Sequence, residues 1–180
     1  MSLLGTETTD LPQGDLRLLD TPTAQHLLTT APVARLAYTG KDGTPRLIPV
    51  NFLWTGDELV VPAFAGTYKV RDLRTHPDVA VCIDTVGPPP QVLMLRGQVT
   101  LDEVEGVLSE YATTQRTMMG EEAGAAYIEA IDQPGLRMVR IALRPAWVGV
   151  LDFQERFAER TPAPVLAAFG VPSGDAAKTR

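Results

Sequence analysis

Three short apolar segments, residues 33–39, 45–54 and 58–64, follow one another with only tight turns between them. The turns are Gly40-Lys41-Asp42-Gly43 and Thr55-Gly56-Asp57. Connections this short can join only antiparallel neighbours, so the chain is committed early to an antiparallel sheet. Residues 79–84, 91–101, 136–143 and 146–153 read as further strands of the same kind. Six or seven antiparallel strands with helices inserted between them predict a mainly β fold, a small barrel with peripheral helices. Closure into a barrel is the way such short strands avoid exposed edges. Pro49 and Pro62 fall inside two of the strands. Proline lacks an N–H, so these positions are expected at edges, at bulges, or where a ligand takes the place of a neighbouring strand.

The helices are marked by their ends. Thr21 suits an N-cap and Pro22 the first helical position, with Leu27 and Leu28 as the apolar edge. Gly66-Thr67 turns into a short helix that Pro77 stops. Asp102 is placed to cap a helix over 103–118, where Val104, Val107, Leu108 and Tyr111 recur at spacings of three and four. A second helical piece over 121–131 ends at Pro134-Gly135. The expected organisation is therefore an N-terminal arm (1–20), a barrel domain (21–153) with a helical insertion (103–132), and a tail (154–180) with a short helix near 165–169.

Composition excludes several functions. A net charge of -6 argues against a nucleic-acid or membrane-surface binder, which needs a basic face. The single cysteine, Cys82, rules out an internal disulfide and fits a cytoplasmic protein. No apolar stretch is long enough to span a membrane, and the N-terminus lacks the pattern of a signal peptide. Neither G-x-G-x-x-G after a strand nor G-x-x-x-x-G-K-[ST] is present, so the common dinucleotide and nucleoside-triphosphate loops are absent. The two histidines, His26 and His76, have no second ligand at metal spacing, and no serine or cysteine sits in a nucleophile motif. No catalytic residue is assigned; if the chain is an enzyme, its chemistry falls to a cofactor.

Against the acidic background, Lys69, Arg71 and Arg74 cluster in the short helix after Gly66-Thr67. Free N–H groups at such a turn, with cations beside them, suit a phosphate. Arg71 and Arg74 read as helix surface, paired with Asp72 or Asp78, while Lys69 stands beside the Gly-Thr turn itself.

The order Arg46-Leu47-Ile48-Pro49-Val50-Asn51-Phe52, then a hairpin and an apolar strand, then Gly66-Thr67-Tyr68-Lys69 with Leu73, Pro77, Val79 and Val81 following, resembles the pyridoxamine 5′-phosphate oxidase-like FMN-binding split-barrel family. The resemblance covers about residues 22–152. It implies a split antiparallel β-barrel of six to seven strands, a homodimer, and FMN bound at the dimer interface. Arg46, Thr67 and Lys69 would hold its phosphate; Pro49, Val50 and Asn51 would line the ring edge, approached by Ala63 and Phe64. Gln91 would reach across the interface, and Tyr68 or Trp147 could stack on a ring. The implied activity is flavin-dependent oxidoreduction of a small-molecule substrate, with hydride chemistry at the flavin N5. The C-terminus lacks the family's Arg-x-His pattern and late Trp, so oxidation of pyridoxamine phosphate itself is not expected. The insertion at 103–132, followed by R-x-x-x-I-x-L-x-P, is similar to a sister branch using the deazaflavin (F-420-type) coenzyme. That branch often has a basic residue where this chain has Thr67. A deazaflavin-dependent reductase, or a non-enzymatic flavin- or haem-binding module, is the alternative.

Overall fold

The computed structural model describes residues 11–87, 89–154, 156–157, 161–168 and 170. Its elements run α1 (Pro22–Thr30), β1 (Ala34–Thr39), β2 (Pro45–Val50), β3 (Leu53–Trp54), β4 (Leu59–Phe64), α2 (Tyr68–Leu73), β5 (Asp78–Asp84), β6 (Val92–Glu105), α3 (Ser109–Met119), α4 (Glu121–Ile131), β7 (Arg137–Leu143), β8 (Trp147–Leu151) and α5 (Ala163–Ala168). The strands form one sheet in the order β2-β1-β5-β6-β7-β4-β3, with β8 on β6. Mainly β is therefore the class, as the turns predict. Among the described residues the count reaches eight because the segment 45–54 breaks at Asn51 and Phe52 into β2 and β3. Contacts divide the chain into a larger unit (32–81 and 96–145) and a smaller one holding the remainder.

In the larger unit the β1–β2 hairpin runs from Ala34 opposite Val50 to Thr39 opposite Pro45. Its turn closes through the Gly40 amide donating to the Thr44 carbonyl at 2.8 Å, with Gly43 at φ +78°. That backbone is open to glycine at little cost. β2 ends the strand order, so Pro49 takes no N–H from an interior ladder. β4 pairs with β7 along its whole length, from Leu59 opposite Leu143 to Phe64 opposite Met138. On its other side β3 reaches only Leu59 and Val60. Pro62 thus lies beyond the end of β3, where that ladder has already stopped.

The helix expected from 103 starts six residues later. Residues 102–105 continue β6 instead, with Asp102 opposite Arg140 and Glu105 opposite Arg137. Two forces override the helical spacing. β7 offers a complete ladder, and Glu103 holds Arg137 at 2.7 Å and Arg74 at 2.6 Å. Gly106, at φ +81°, then ends the strand. Asp102 caps nothing; Leu108 stands at the N-cap of α3 and makes no side-chain capping bond. The second helix spans 121–131 as the sequence predicts. Its Gly124 packs against α3 so closely that a Cβ would meet the Arg116 Cα at 2.5 Å.

In the smaller unit, Thr21 accepts from the Ala24 amide at 3.3 Å and Pro22 opens α1, as predicted. Within the expected N-terminal arm, residues 11–20 are held to β8. The Gly14 amide donates to the Val148 carbonyl at 2.7 Å, and the Gln13 carboxamide bonds both main-chain groups of Val150, at 2.7 and 2.9 Å. Leu18 is fully buried. Trp147 lies against Gly14 and Gly149, a packing role. α5 falls at 163–168, near the short helix expected at 165–169.

Candidate functional site

Where β3 abandons β4, the larger unit has a hollow of about 210 Å³. Pro49, Val50 and Asn51, from the end of β2, form one wall; residues 61–64 of β4, including Ala63 and Phe64, form another. Lys69 of α2 and Tyr111 of α3 complete the lining. Asn51 follows the last β1–β2 pair and makes no hydrogen bond among the described residues. Val50, Val61 and Ala63 are buried and keep the floor apolar.

Lys69 supplies the charge. It is half-buried, and burial alone pulls its ammonium below its ordinary value. No carboxylate among the described residues offsets that cost, because the neighbouring Asp72 is bound to Arg71 at 2.6 Å. A desolvated cation without a partner attracts an anion. α2 itself has only six residues, so the charge of this site is the lysine rather than the helix terminus. Thr67, at the N-cap, turns inward: its hydroxyl donates to the Phe64 carbonyl at 2.9 Å and its amide to the same oxygen at 3.1 Å. It fixes the β4–α2 turn.

The Phe64 and Tyr111 rings meet edge to face, with centroids 5.7 Å apart at 65°. The Tyr111 phenol is 3.0 Å from that of Tyr127 on α4. Burial, and then the bond with Tyr127, hold the Tyr111 phenol well above its ordinary value. α3 is anchored beside it by Glu110, bound to Arg140 at 2.7 Å; Arg140 also holds Glu58 at 2.9 Å. Burial pulls the Glu110 carboxyl up but is outweighed by the bonds from Arg140, the main chain and Ser109, so it ends below its ordinary value.

A second hollow, about 390 Å³, is lined by Lys41, Asp42, Arg46 and Arg71. Arg46 pairs with Asp42 at 2.8 Å, bonds the Thr44 hydroxyl, and lies against Gly40. Arg71 covers the exposed Tyr68 ring at 4.9 Å. Arg74 points elsewhere, to Glu103.

Of the residues expected from the sequence, Pro49, Val50, Asn51, Ala63, Phe64 and Lys69 share the first hollow. Arg46 lines the second, with Arg71, which the sequence assigned to helix surface. Tyr68 sits beneath Arg71, and Thr67 closes the turn. Gln91 belongs to the smaller unit, where its amide donates to the Thr85 hydroxyl at 3.0 Å and its carbonyl accepts from the Thr85 amide at 3.0 Å. Tyr111 was read only as part of a helix's apolar spacing; its polar tip was the signal that it could serve a site. Among the described residues there is no cluster of metal-ligating side chains, and no helix long and apolar enough to cross a membrane.

The sequence pattern of the family described as pyridoxamine 5′-phosphate oxidase matches residues 20–149. A candidate pyridoxamine 5′-phosphate oxidase from Listeria innocua has a similar structure (TM-score 0.52, 22% identity, covering 71% of this chain and 94% of that one). So does an F420 reductase (TM-score 0.50, 25% identity, 69% of this chain and 94% of that one). A haem-binding protein from Mycobacterium smegmatis shares the fold at 18% identity and TM-score 0.51, over 81% of this chain and 59% of that one. No curated protein matches the chain.

Proposed function

The chain belongs to the pyridoxamine 5′-phosphate oxidase family and has its split-barrel fold, and from that premise we propose that it is an oxidoreductase that binds FMN in the hollow between β2, β4 and α2. The observation that carries the reading is Lys69: a half-buried ammonium with no counter-charge among the described residues, at the edge of an apolar hollow left where β3 ends. The donor set fits a flavin phosphate ester. Lys69 offers a point charge and Arg46 a planar fork. Arg46 is presently paired with Asp42 at the surface, and exchanging such a pair for a phosphate costs little. Arg46 lines the second hollow, and at an odd spacing from Pro49 it projects from the opposite face of β2.

When bound, FMN would supply hydride acceptance and donation at its N5 atom. The protein's own part is to hold and exclude. Asn51, free of other hydrogen bonds among the described residues, offers amide and main-chain groups to the polar edge of a ring. Val50, Val61 and Ala63 keep water from the apolar side. A hollow of about 210 Å³ is smaller than the roughly 300–1,000 Å³ of pockets that bury drug-sized ligands. A second copy of the chain, packed on the exposed face of β2 at Pro45, Leu47 and Pro49, would supply the missing wall. That makes the working form a homodimer, with a small-molecule substrate entering beside the ring.

The likeness to an F420 reductase favours a second reading, in which the deazaflavin coenzyme occupies the same hollow. Its phosphate would use the same cations. Parallel equilibrium titrations with FMN and the deazaflavin coenzyme, followed by absorbance and thermal midpoint, separate the two. Saturable binding of FMN supports the first reading; binding of the deazaflavin alone supports the second; binding of neither overturns both.

A further inference from the structure

We propose that Tyr111, carried by the inserted helix α3, is a ligand-contacting wall of this hollow and gives it a preference for a planar aromatic ring; the inference rests on the flavin-type reading above. Tyr111 lines the hollow together with Lys69, Pro49 and Asn51, although it lies more than forty residues beyond them in the chain. Its ring meets Phe64 edge to face, so the two aromatic side chains make a corner. Such a corner accepts a flat ring against one face and its edge against the other.

Three contacts keep the corner rigid. The Tyr111 phenol is bound to Tyr127 on α4. The next residue back, Glu110, is fastened to Arg140 of β7, and Arg140 to Glu58 just before β4. Gly124 lets α4 approach α3 closely enough for the phenols to meet. The phenol also stays neutral well past physiological pH, so it adds no charge beside a ring whose anionic group Lys69 answers. The helical insertion is thus part of the binding site and not an ornament on the barrel.

The test uses the whole chain with riboflavin and FMN as probes, read by equilibrium binding and by the fluorescence of the bound flavin. A phenol in contact with an excited flavin quenches it by electron transfer, and a phenyl ring does not. Tyr111→Phe is expected to keep riboflavin affinity within about threefold while brightening the bound flavin severalfold. Tyr111→Leu is expected to weaken riboflavin and FMN alike by about tenfold, 1.4 kcal/mol. Should Tyr111→Leu fail to fold, the brightness of Tyr111→Phe decides alone. Wild-type affinity and unchanged fluorescence in the folded variants would overturn the proposal while leaving flavin binding intact. A wild-type protein that binds neither probe nor the deazaflavin coenzyme overturns the functional reading, and this inference with it.

Discussion

Asp72 gives its carboxylate to Arg71 at 2.6 Å and not to Lys69, three residues earlier on the same short helix. Asp72 is almost wholly buried, so the pair is fixed, and Lys69 is left half-buried without a counter-charge among the described residues. The arrangement stores a cost in the ligand-free protein that an anion can relieve.

Lys69→Met should therefore stabilise the ligand-free chain, raising its thermal midpoint by about 2 °C, while it impairs anion binding; functional sites commonly carry such trade-offs. The pH dependence has a definite sign. Burial holds Lys69 below its ordinary value of 10.5, so the unfolded chain binds more protons in the alkaline window beneath that value. Wild-type stability gains from this group as pH rises through that window, and the variant lacks the gain. Urea midpoints at several alkaline pH values check both statements.

Asp42 competes for Arg46. The Thr44 hydroxyl and amide, followed by Arg46, hold the Asp42 carboxyl far below its ordinary value. Asp42→Asn keeps an oxygen for the turn but removes the charge that restrains Arg46. FMN binding should tighten about two- to fivefold at low salt, and the gain should shrink as salt rises. Isothermal titration at two ionic strengths reads the effect.

Arg140 joins Glu110 to Glu58 and so holds α3 against the sheet. Arg140→Met leaves two partly buried carboxylates facing each other and should cost about 1–3 kcal/mol at neutral pH, less than a fully buried pair. In the wild type, Glu110 lies below its ordinary value of 4.5, so its contribution is present above that pH and is lost as pH falls through the folded value. The variant should show a flatter acid limb in urea denaturation.

Gly124→Ala would place a methyl 2.5 Å from the Arg116 Cα, against backbone that cannot yield cheaply. A loss of about 1–3 kcal/mol is expected from the forced separation of α3 and α4. The same variant should loosen the Tyr111–Tyr127 pair, visible as a downward shift in the tyrosine titration midpoint.

Much of this fold was legible because its signals are local. The Gly40–Gly43 turn, the Thr21-Pro22 start of α1 and the span of α4 each depend on neighbouring residues alone. Pro49 and Pro62 marked the places where ladders end, and the hollow lies there. The extension of β6 to Glu105 was hidden because its cause is β7, more than thirty residues later. Helical spacing at Val104, Val107 and Leu108 was real as a pattern, but a waiting ladder outweighed it. Arg71 was read as surface and does pair with Asp72, yet it also lines the hollow of Arg46, a placement that only the packing of α2 beside β1 and β2 reveals. Tyr111 was legible as an apolar position; its service to the hollow depends on how α3 folds back.

The most direct test of the central claim, that Lys69 receives the anionic end of a flavin, is the ratio of FMN to riboflavin affinity in the wild type and in Lys69→Ala. The two probes differ only in the phosphate. The expected result is a wild-type preference for FMN that falls by roughly 1.5–3 kcal/mol in the variant, with riboflavin unchanged. An equal ratio in both proteins would contradict it, and Lys69 would then be a half-buried lysine with no part in binding.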